Sequence, residues 1–196
     1  MIHILIPTYN RHVYLKSLLT DLSQQHFKDF DVTVCSDGFD LTVLEMIEDF
    51  DNKNYQPYHY IHTVERANDW GLSPRKLLID SIKDFDSHII FIDDDNAICP
   101  QYLERLSVDR LSNIISYCDI FMADETINGE RILPGQEIES FEYGYIDPLS
   151  CLIPTHIAKI CFHKWGHDRD QDFNFLIECS KYCKLKYIPY VLGVHR

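Results

Sequence analysis

Basic residues are scarce in this sequence, which has 18 Lys and Arg against 31 Asp and Glu and a net charge of −13. Proteins that bind nucleic acid through its phosphates need a basic surface, so we expect no nucleic-acid partner. No apolar run approaches the roughly 20 residues of a membrane-spanning helix, and the run at 2–7 is too short for a secretion signal. We therefore expect a soluble, cytoplasmic protein and leave contact with a membrane surface open.

The chain also lacks a C-x-x-C pair, which is typical of zinc sites and redox-active disulfides, although it contains seven cysteines. The odd count, the wide spacing and the apolar neighbours of these residues favour reduced, buried thiols. Otherwise 45% of the residues are hydrophobic and 25% are charged, as in ordinary globular proteins. A chain of 196 residues with this composition is expected to form one domain with a substantial core.

Apolar runs and helical patterns alternate along the first half of the chain. Strand-like runs lie at 2–7, 31–36, 58–64 and 88–93, and helical patterns lie at 13–25, 41–50, 73–85 and 100–115. The third helix is expected to have Ser73 as its N-cap and Pro74 as its first residue. This order predicts an α/β fold with a mostly parallel central sheet that helices cover on both faces.

The second half of the chain is less regular. Residues 125–150 are polar and contain Asn128-Gly129, so this segment is expected to form a hairpin or a loop over the edge of the sheet. Helices are predicted at 155–166 and 172–184, followed by a final strand at 185–194. We expect this half to contribute a smaller, antiparallel portion of the fold.

Polar clusters follow three of the predicted strands, at 7–11, 36–38 and 93–96. In open parallel sheets, ligands bind outside the carboxyl ends of the strands, where these clusters would meet. The last cluster holds three consecutive carboxylates, which favours a cation such as Mg²⁺ or Mn²⁺ that bridges carboxylates to substrate phosphates. The alternative is an exposed acidic turn whose side chains cap the next helix. The agreement of the three clusters favours the metal.

A second acidic segment lies at 166–175. Asp168, Asp170 and Asp172 stand at the start of a predicted helix, where the helix dipole favours carboxylates. Capping of the helix is therefore one interpretation. In the other, one carboxylate caps the helix while another projects into a cleft as a general base.

Taken together, these segments resemble the inverting glycosyltransferases of family 2, which have the GT-A fold and use nucleotide-diphospho-sugars. The resemblance rests on ILIPTYNR, FDVTVCSDG, WGLSPRK and IIFIDDDN, which follow one another between residues 2 and 106. The later RDQDF at 169–173 resembles the E-D-x-D-L element near the acceptor. The resemblance implies one Rossmann-like GT-A domain over 1–196, with a nucleotide-sugar-binding half at 1–106 and an acceptor-binding half at 107–196.

The resemblance also implies a role for each residue that matches the motifs. The nucleotide-sugar would be bound by eight residues: Pro7, Thr8, Tyr9, Arg11, Asp37, Arg75, Asp93 and Asp94. Among these, Asp37 would hydrogen-bond the base, typically uracil, and Arg75 would help to hold the nucleotide or its diphosphate. Asp95 would hold Mn²⁺ or Mg²⁺, with His195 as the candidate for a further metal ligand. Asp170 falls on the catalytic base and Asp172 on the second acid of the element.

The sequence departs from the family pattern at two positions. Arg169 replaces the usual Glu before the base, and Ser36 replaces the first acid of the common D-D-G-S. A shift of two residues would make Asp172 the base, so that assignment stays open. In the implied reaction, the base deprotonates an acceptor hydroxyl on a glycan, a lipid-linked sugar or a protein, while residues 125–150 act as a lid or acceptor loop.

Two other functions remain open at this point. One is a metal-dependent nucleotidyltransferase or phosphoesterase, against which the absence of Gly from 7–11 counts. The other is a non-catalytic module that binds nucleotide-sugars. Trp70, beside the donor-side loop, and Trp165, shortly before the expected base, are candidates for stacking on a sugar.

Overall fold

A computed structural model describes residues 1–110, 112–124, 129–141, 146–166 and 171–195 of the chain. The described strands are β1 Ile2–Thr8, β2 Phe30–Ser36, β3 Tyr58–His62, β4 His88–Phe91, β5 Ala97–Ile98, β6 Ile114–Asp124, β7 Gly129–Leu133, β8 Cys151–Pro154 and β9 Lys184–His195. The described α-helices are α1 His12–Ser23, α2 Leu41–Lys53, α3 Leu72–Ser81, α4 Tyr102–Leu106, α5 Thr155–Cys161 and α6 Gln171–Ser180.

The strands form one mixed sheet in the order β3-β2-β1-β4-β8-β6-β9-β5, with β7 paired to β6. The first four strands in this order are parallel, and β6 is parallel to β9, whereas β8, β7 and β5 pair antiparallel with their neighbours. This arrangement confirms the predicted α/β fold with its mostly parallel sheet and antiparallel portion.

Helices cover both faces of the sheet. Successive side chains of a strand point to opposite faces, so one strand contributes to the core on each side. In β1, Ile4 and Ile6 point into a core that includes the leucines of α1, such as Leu18. Leu5, between them, points into the second core with Leu78 of α3 and Phe175 of α6. The polar ends of the strands are thereby left free at the rim of the sheet.

The helix predicted at 100–115 is wrong in its length. α4 ends at Leu106 and a 3₁₀ turn follows at Ser107–Asp109, after which Ile114 begins β6. The apolar pair Ile114 and Ile115 continued the helical pattern in the sequence but pairs with Lys184 and Leu185 of β9 in the sheet. Tertiary pairing therefore overrides the local periodicity here.

Three other predicted helix ends also differ from the structure. The N-cap of α3 is Gly71 rather than Ser73, and the carboxylate of Asp69 accepts hydrogen bonds from the Ser73 amide at 3.0 Å and its hydroxyl at 2.5 Å. α5 ends at Cys161 and continues as a 3₁₀ turn over Phe162–Lys164, and α6 ends at Ser180.

The hairpin predicted near Asn128-Gly129 is confirmed by the antiparallel pairing of β6 with β7, although residues 125–128 lie outside the described part.

All seven cysteines are free thiols, five of them buried, as the sequence predicts. Within the described residues, no helix has both the length and the apolar character that crossing a bilayer requires.

Candidate functional site

The eight residues that the sequence assigns to the nucleotide-sugar all line one pocket of about 430 Å³. The pocket lies at the carboxyl ends of β1 and β2, between the loop before α3 and the segment that follows β4. Two other cavities, of about 570 and 620 Å³, are larger, but neither is lined by a predicted site residue. We take the smaller pocket as the candidate site because the charged side chains converge there.

Asp94 is the buried member of the acidic triplet. Its carboxylate accepts a hydrogen bond from the Thr8 hydroxyl at 2.6 Å and another from Arg11 Nη1 at 3.2 Å. Burial raises the pKa of Asp94 above its ordinary value, while Thr8 and Arg11 oppose this increase. Arg11 Nη1 also donates to Asp95 at 2.5 Å, so one guanidinium pairs with two of the three carboxylates and offsets one of their negative charges.

Asp93, the first acid of the triplet, is paired with a different arginine. Arg75 is only 6% exposed, and it donates one hydrogen bond from Nη2 to Asp93 and another from Nη1 to the Trp70 carbonyl at 3.1 Å. Its guanidinium carbon lies 5.2 Å from the ring centroid of Trp165. Arg75 is therefore a buried cation that these contacts hold in place at the side of the pocket, and not an exposed surface residue.

Asp37 fastens the loop between β3 and α3 to the end of β2. Its two carboxylate oxygens accept hydrogen bonds from the backbone amides of Ala67 at 2.7 Å and Asn68 at 3.0 Å, and the Thr63 hydroxyl also donates to it. Asp37 also lines the pocket, where it could reach a bound base. Its contact with the base stays a prediction. The structure adds a second role for this side chain in holding the loop.

The two tryptophans have opposite environments. Trp165 is 3% exposed and packs against Phe91, Phe162 and Phe175, so its predicted stacking on a sugar is wrong. Trp70 is 83% exposed and lines the pocket.

His195 lies at the end of β9, next to the acidic triplet. The pairing of Ala97 with Val194 places the end of β9 beside the start of β5, two residues after Asp95. His195 Nδ1 is 3.0 Å from the Asp147 carboxylate, an ion pair without the alignment of a hydrogen bond. Asp147, aided by Asp93 and Asp95 and opposed by burial, raises the pKa of His195 to about 9.

Asp172 lies in the first turn of α6 and is half-buried. Burial, opposed by Arg75 and aided by the negative charges of Asp93 and Asp147, raises its pKa to about 6. Its Oδ1 has no hydrogen-bond partner among the described residues. The other predicted catalytic residue, Asp170, lies outside the described residues.

The donor atoms around the triplet are of the kind that Mn²⁺ or Mg²⁺ would use. Asp95 offers carboxylate oxygens, and the β5–β9 pairing brings the imidazole of His195 close; with its pKa raised to about 9 beside Asp147, His195 would have to lose a proton to bind a cation. No group of three His, Cys, Asp or Glu side chains within the described ranges is arranged to hold a metal ion. Asp95 and His195 alone would leave most ligand positions of such a cation to other groups.

Sequence reasoning missed three residues of this site. Asp147 contacts His195, Arg66 lies with its guanidinium carbon 4.1 Å from the centroid of the Tyr9 ring, and Asn68 accepts a hydrogen bond from Arg66 at 3.0 Å. The only local signal was for Asp147, since Asp before Pro is typical of a turn, and here it caps the 3₁₀ turn Pro148–Ser150. Its contact with His195 has no local signal, because 48 positions separate the two residues in the chain.

Comparison with known families gives one match to the sequence. The profile of glycosyl transferase family 2 matches residues 3–113, which is more than half of the chain. No curated protein sequence matches in a direct comparison.

Comparison with solved structures gives matches that span almost the whole chain. The crystal structure of S. aureus TarS 1-349 in complex with UDP-GlcNAc has a TM-score of 0.76 at 16% identity, covering 99% of this chain and 58% of that one. A mannosyltransferase from Pyrobaculum calidifontis, in complex with GDP-Man and Mn²⁺, has a TM-score of 0.68 at 10% identity, covering 99% and 56%. These similarities confirm the expected GT-A fold. The chain spans less than two thirds of the length of these proteins.

Proposed function

The chain belongs to glycosyl transferase family 2, and from this we propose that it transfers a sugar from a nucleotide-diphospho-sugar to an acceptor hydroxyl group, with inversion at the anomeric carbon. The observation that carries the proposal is the single pocket lined by all eight residues that the sequence assigns to the donor. These residues come from four separate segments of the chain, and only the fold brings them together.

We expect the donor to be a UDP-sugar, and charge explains how the pocket would hold it. Two guanidinium groups lie against the acidic triplet. Arg11 is 2.5 Å from the Asp95 carboxylate, and Arg75 forms an ion pair with Asp93. A guanidinium can bind a diphosphate by two parallel hydrogen bonds, and its positive charge stays fixed near neutral pH. The diphosphate would therefore lie between these arginines and the triplet.

Mn²⁺ or Mg²⁺ would be held by Asp95 and His195. When bound, the cation would neutralise the negative charge of the leaving diphosphate. Arg11 pairs with Asp95, so its guanidinium would have to release that carboxylate to the cation and would then pair with the diphosphate. Asp94, which accepts a hydrogen bond from Thr8, or its neighbour Asp93 would face the ribose.

The acceptor hydroxyl would be deprotonated by Asp170 or Asp172. The hydroxyl oxygen attacks the anomeric carbon, the bond from that carbon to the diphosphate oxygen breaks, and the hydroxyl proton moves to the carboxylate. Asp172 has a pKa of about 6, which leaves it ionised yet moderately basic at neutral pH. The acceptor carries its hydroxyl on a glycan, a lipid-linked sugar or a protein.

Calorimetric titration with UDP, and with GDP for comparison, tests the donor and metal sites in the presence and absence of Mn²⁺. We expect UDP binding that requires the metal and is lost in Asp95→Ala but kept in Asp86→Ala, which removes an exposed carboxylate from the turn before β4. Absence of nucleotide binding under every metal condition would refute the proposal. Binding without hydrolysis or transfer of any UDP-sugar would indicate a non-catalytic module instead.

A further inference from the structure

Trp70 is a large apolar side chain that the fold leaves in solvent at the rim of the donor pocket. It is 83% exposed, whereas the other tryptophan, Trp165, is buried in the second core. An exposed aromatic side chain is ordinary by itself. Trp70 is unusual because it lines the pocket in which the donor is proposed to bind.

The backbone at Trp70 adopts a conformation that side chains with a β-carbon avoid. Its φ is +58°, in the left-handed region, and Asn68 two residues earlier also has a positive φ of +53°. Asn tolerates this region because its short polar side chain can bond locally, but Trp has no such compensation. Strained residues of this kind are found where the surrounding structure fixes them for a function.

The surrounding contacts hold Trp70 rigidly in place. The Trp70 carbonyl accepts a hydrogen bond from Arg75 at 3.1 Å, and the next residue, Gly71, lies so close to the same guanidinium that a β-carbon would not fit. On the other side, Asp37 binds the amides of Ala67 and Asn68. The indole is therefore presented from a loop that is fastened at both ends.

The neighbouring side chains indicate what the indole would contact. Tyr9, Arg66, Asn68 and Asp37 form one connected group through the Arg66–Tyr9 stack and the hydrogen bonds Arg66–Asn68 and Asn68–Asp37. This group offers planar surfaces with hydrogen-bonding edges, which suits a heteroaromatic base, whereas the acidic triplet and its arginines suit phosphates. Trp70 belongs to the same loop as Arg66 and Asn68.

Next to this group, Trp70 has a larger uncovered aromatic surface than Tyr9. Tyr9 is 39% exposed as a residue, and the Arg66 guanidinium carbon lies 4.1 Å from the centroid of its ring. Resting on the proposed function, we propose that the Trp70 indole stacks on the nucleobase of the donor and contributes to the choice of nucleotide. Stacking would bury the exposed indole against the base, and the apolar surface thereby removed from water would stabilise the complex.

Intrinsic fluorescence tests the contact directly, since the chain has two tryptophans and one of them is buried. UDP is titrated with Mg²⁺, because paramagnetic Mn²⁺ quenches indole emission by itself. We expect quenching in the unchanged protein and in Trp165→Phe, and much weaker quenching in Trp70→Phe, whose remaining Trp165 lies 5.2 Å from Arg75. Undiminished quenching in Trp70→Phe, or its loss in Trp165→Phe, would overturn the proposal.

Calorimetry with Trp70→Gly separates binding from folding. We expect UDP to bind about ten- to a hundredfold more weakly, since stacking on one base contributes about that much. Pyrophosphate, which has no base, should bind as before, and the melting temperature should stay the same or rise because glycine relieves the positive φ. Trp70→Tyr should retain most of the UDP affinity.

The outcomes distinguish this inference from the proposed function. If UDP binds the unchanged protein and Trp70→Gly equally well, the stacking role is refuted and the transferase proposal stands. If the substitution weakens UDP-sugar but not UDP, Trp70 contacts the sugar and the base assignment is wrong. If no nucleotide binds the unchanged protein, both proposals fail.

Discussion

Replacement of Asp172 by Asn should stabilise the folded protein at neutral pH. Burial, opposed by Arg75 and aided by Asp93 and Asp147, raises the pKa of Asp172 from its ordinary 3.8 to about 6. At 1.36 kcal/mol for each pKa unit, holding this carboxylate ionised costs the folded state about 3 kcal/mol. Its place in the first turn of α6 returns part of that cost, so we expect Asp172→Asn to gain about 2 to 3 kcal/mol at pH 7.

The gain should depend on pH in a defined direction. The folded pKa of Asp172 lies above the unfolded one, so between pH 6 and pH 4 the folded protein takes up a proton that the unfolded chain does not. Protonation removes the cost of holding the Asp172 carboxylate ionised in the folded protein. The difference in unfolding free energy between the unchanged protein and Asp172→Asn should therefore shrink toward zero near pH 4. Above pH 7 the difference should be constant.

Urea unfolding followed by circular dichroism at pH 4, 5, 6 and 7 measures this difference. The buffers contain EDTA, so that no cation alters the field around the site. Glu45→Gln, an exposed position on α2, serves as the control and should change the free energy of unfolding by less than about 0.5 kcal/mol at every pH. An Asp172→Asn protein that is less stable at pH 7, or whose gain does not vary with pH, would refute the reasoning.

Other changes test the arginines and the thiols. Arg75 donates one hydrogen bond to Asp93 and one to the Trp70 carbonyl, and a lysine in its place can keep only one of them. Arg75→Lys should therefore lower the free energy of unfolding by about 1 to 3 kcal/mol in the urea assay and weaken UDP binding. Unchanged UDP affinity would contradict the role of the guanidinium. Arg11→Gln frees the Asp95 carboxylate and should strengthen Mn²⁺ binding without nucleotide in calorimetry, whereas equal or weaker binding would show that Asp95 does not hold the metal. In a thiol titration, the two partly exposed cysteines should react in the native protein and the five buried ones only after unfolding; fewer than seven in urea would contradict free thiols.

Local patterns were sufficient for much of the first half of the chain. The leucines of α1 recur at helical spacing and are buried, and the short apolar runs at 2–7 and 31–36 became parallel strands. Parallel strands end at the same edge of a sheet, so the clusters at 7–11, 36–38 and 93–96 could be predicted to meet. The pocket confirms this convergence, because residues of all three clusters line it.

Longer-range contacts were beyond the sequence. β6 was missed because Ile114 and Ile115 fit the end of a helical pattern equally well, and only pairing with β9 decides between the two. Trp165 stands shortly before the expected base in the chain, but packing against Phe91 and Phe175 removes it from the cleft. Such contacts join residues far apart in sequence, and no local periodicity records them.

The sequence by itself determined the α/β order and the convergence of the three polar clusters, since each depends on neighbouring residues or on the shared direction of parallel strands. Only the tertiary structure decided that Arg75 is buried against Asp93, that Asp147 lies beside His195 and that Asp172 has a raised pKa. The physical reason is that burial and charge act through space: a side chain's solvation and its partners are set by the folded packing around it.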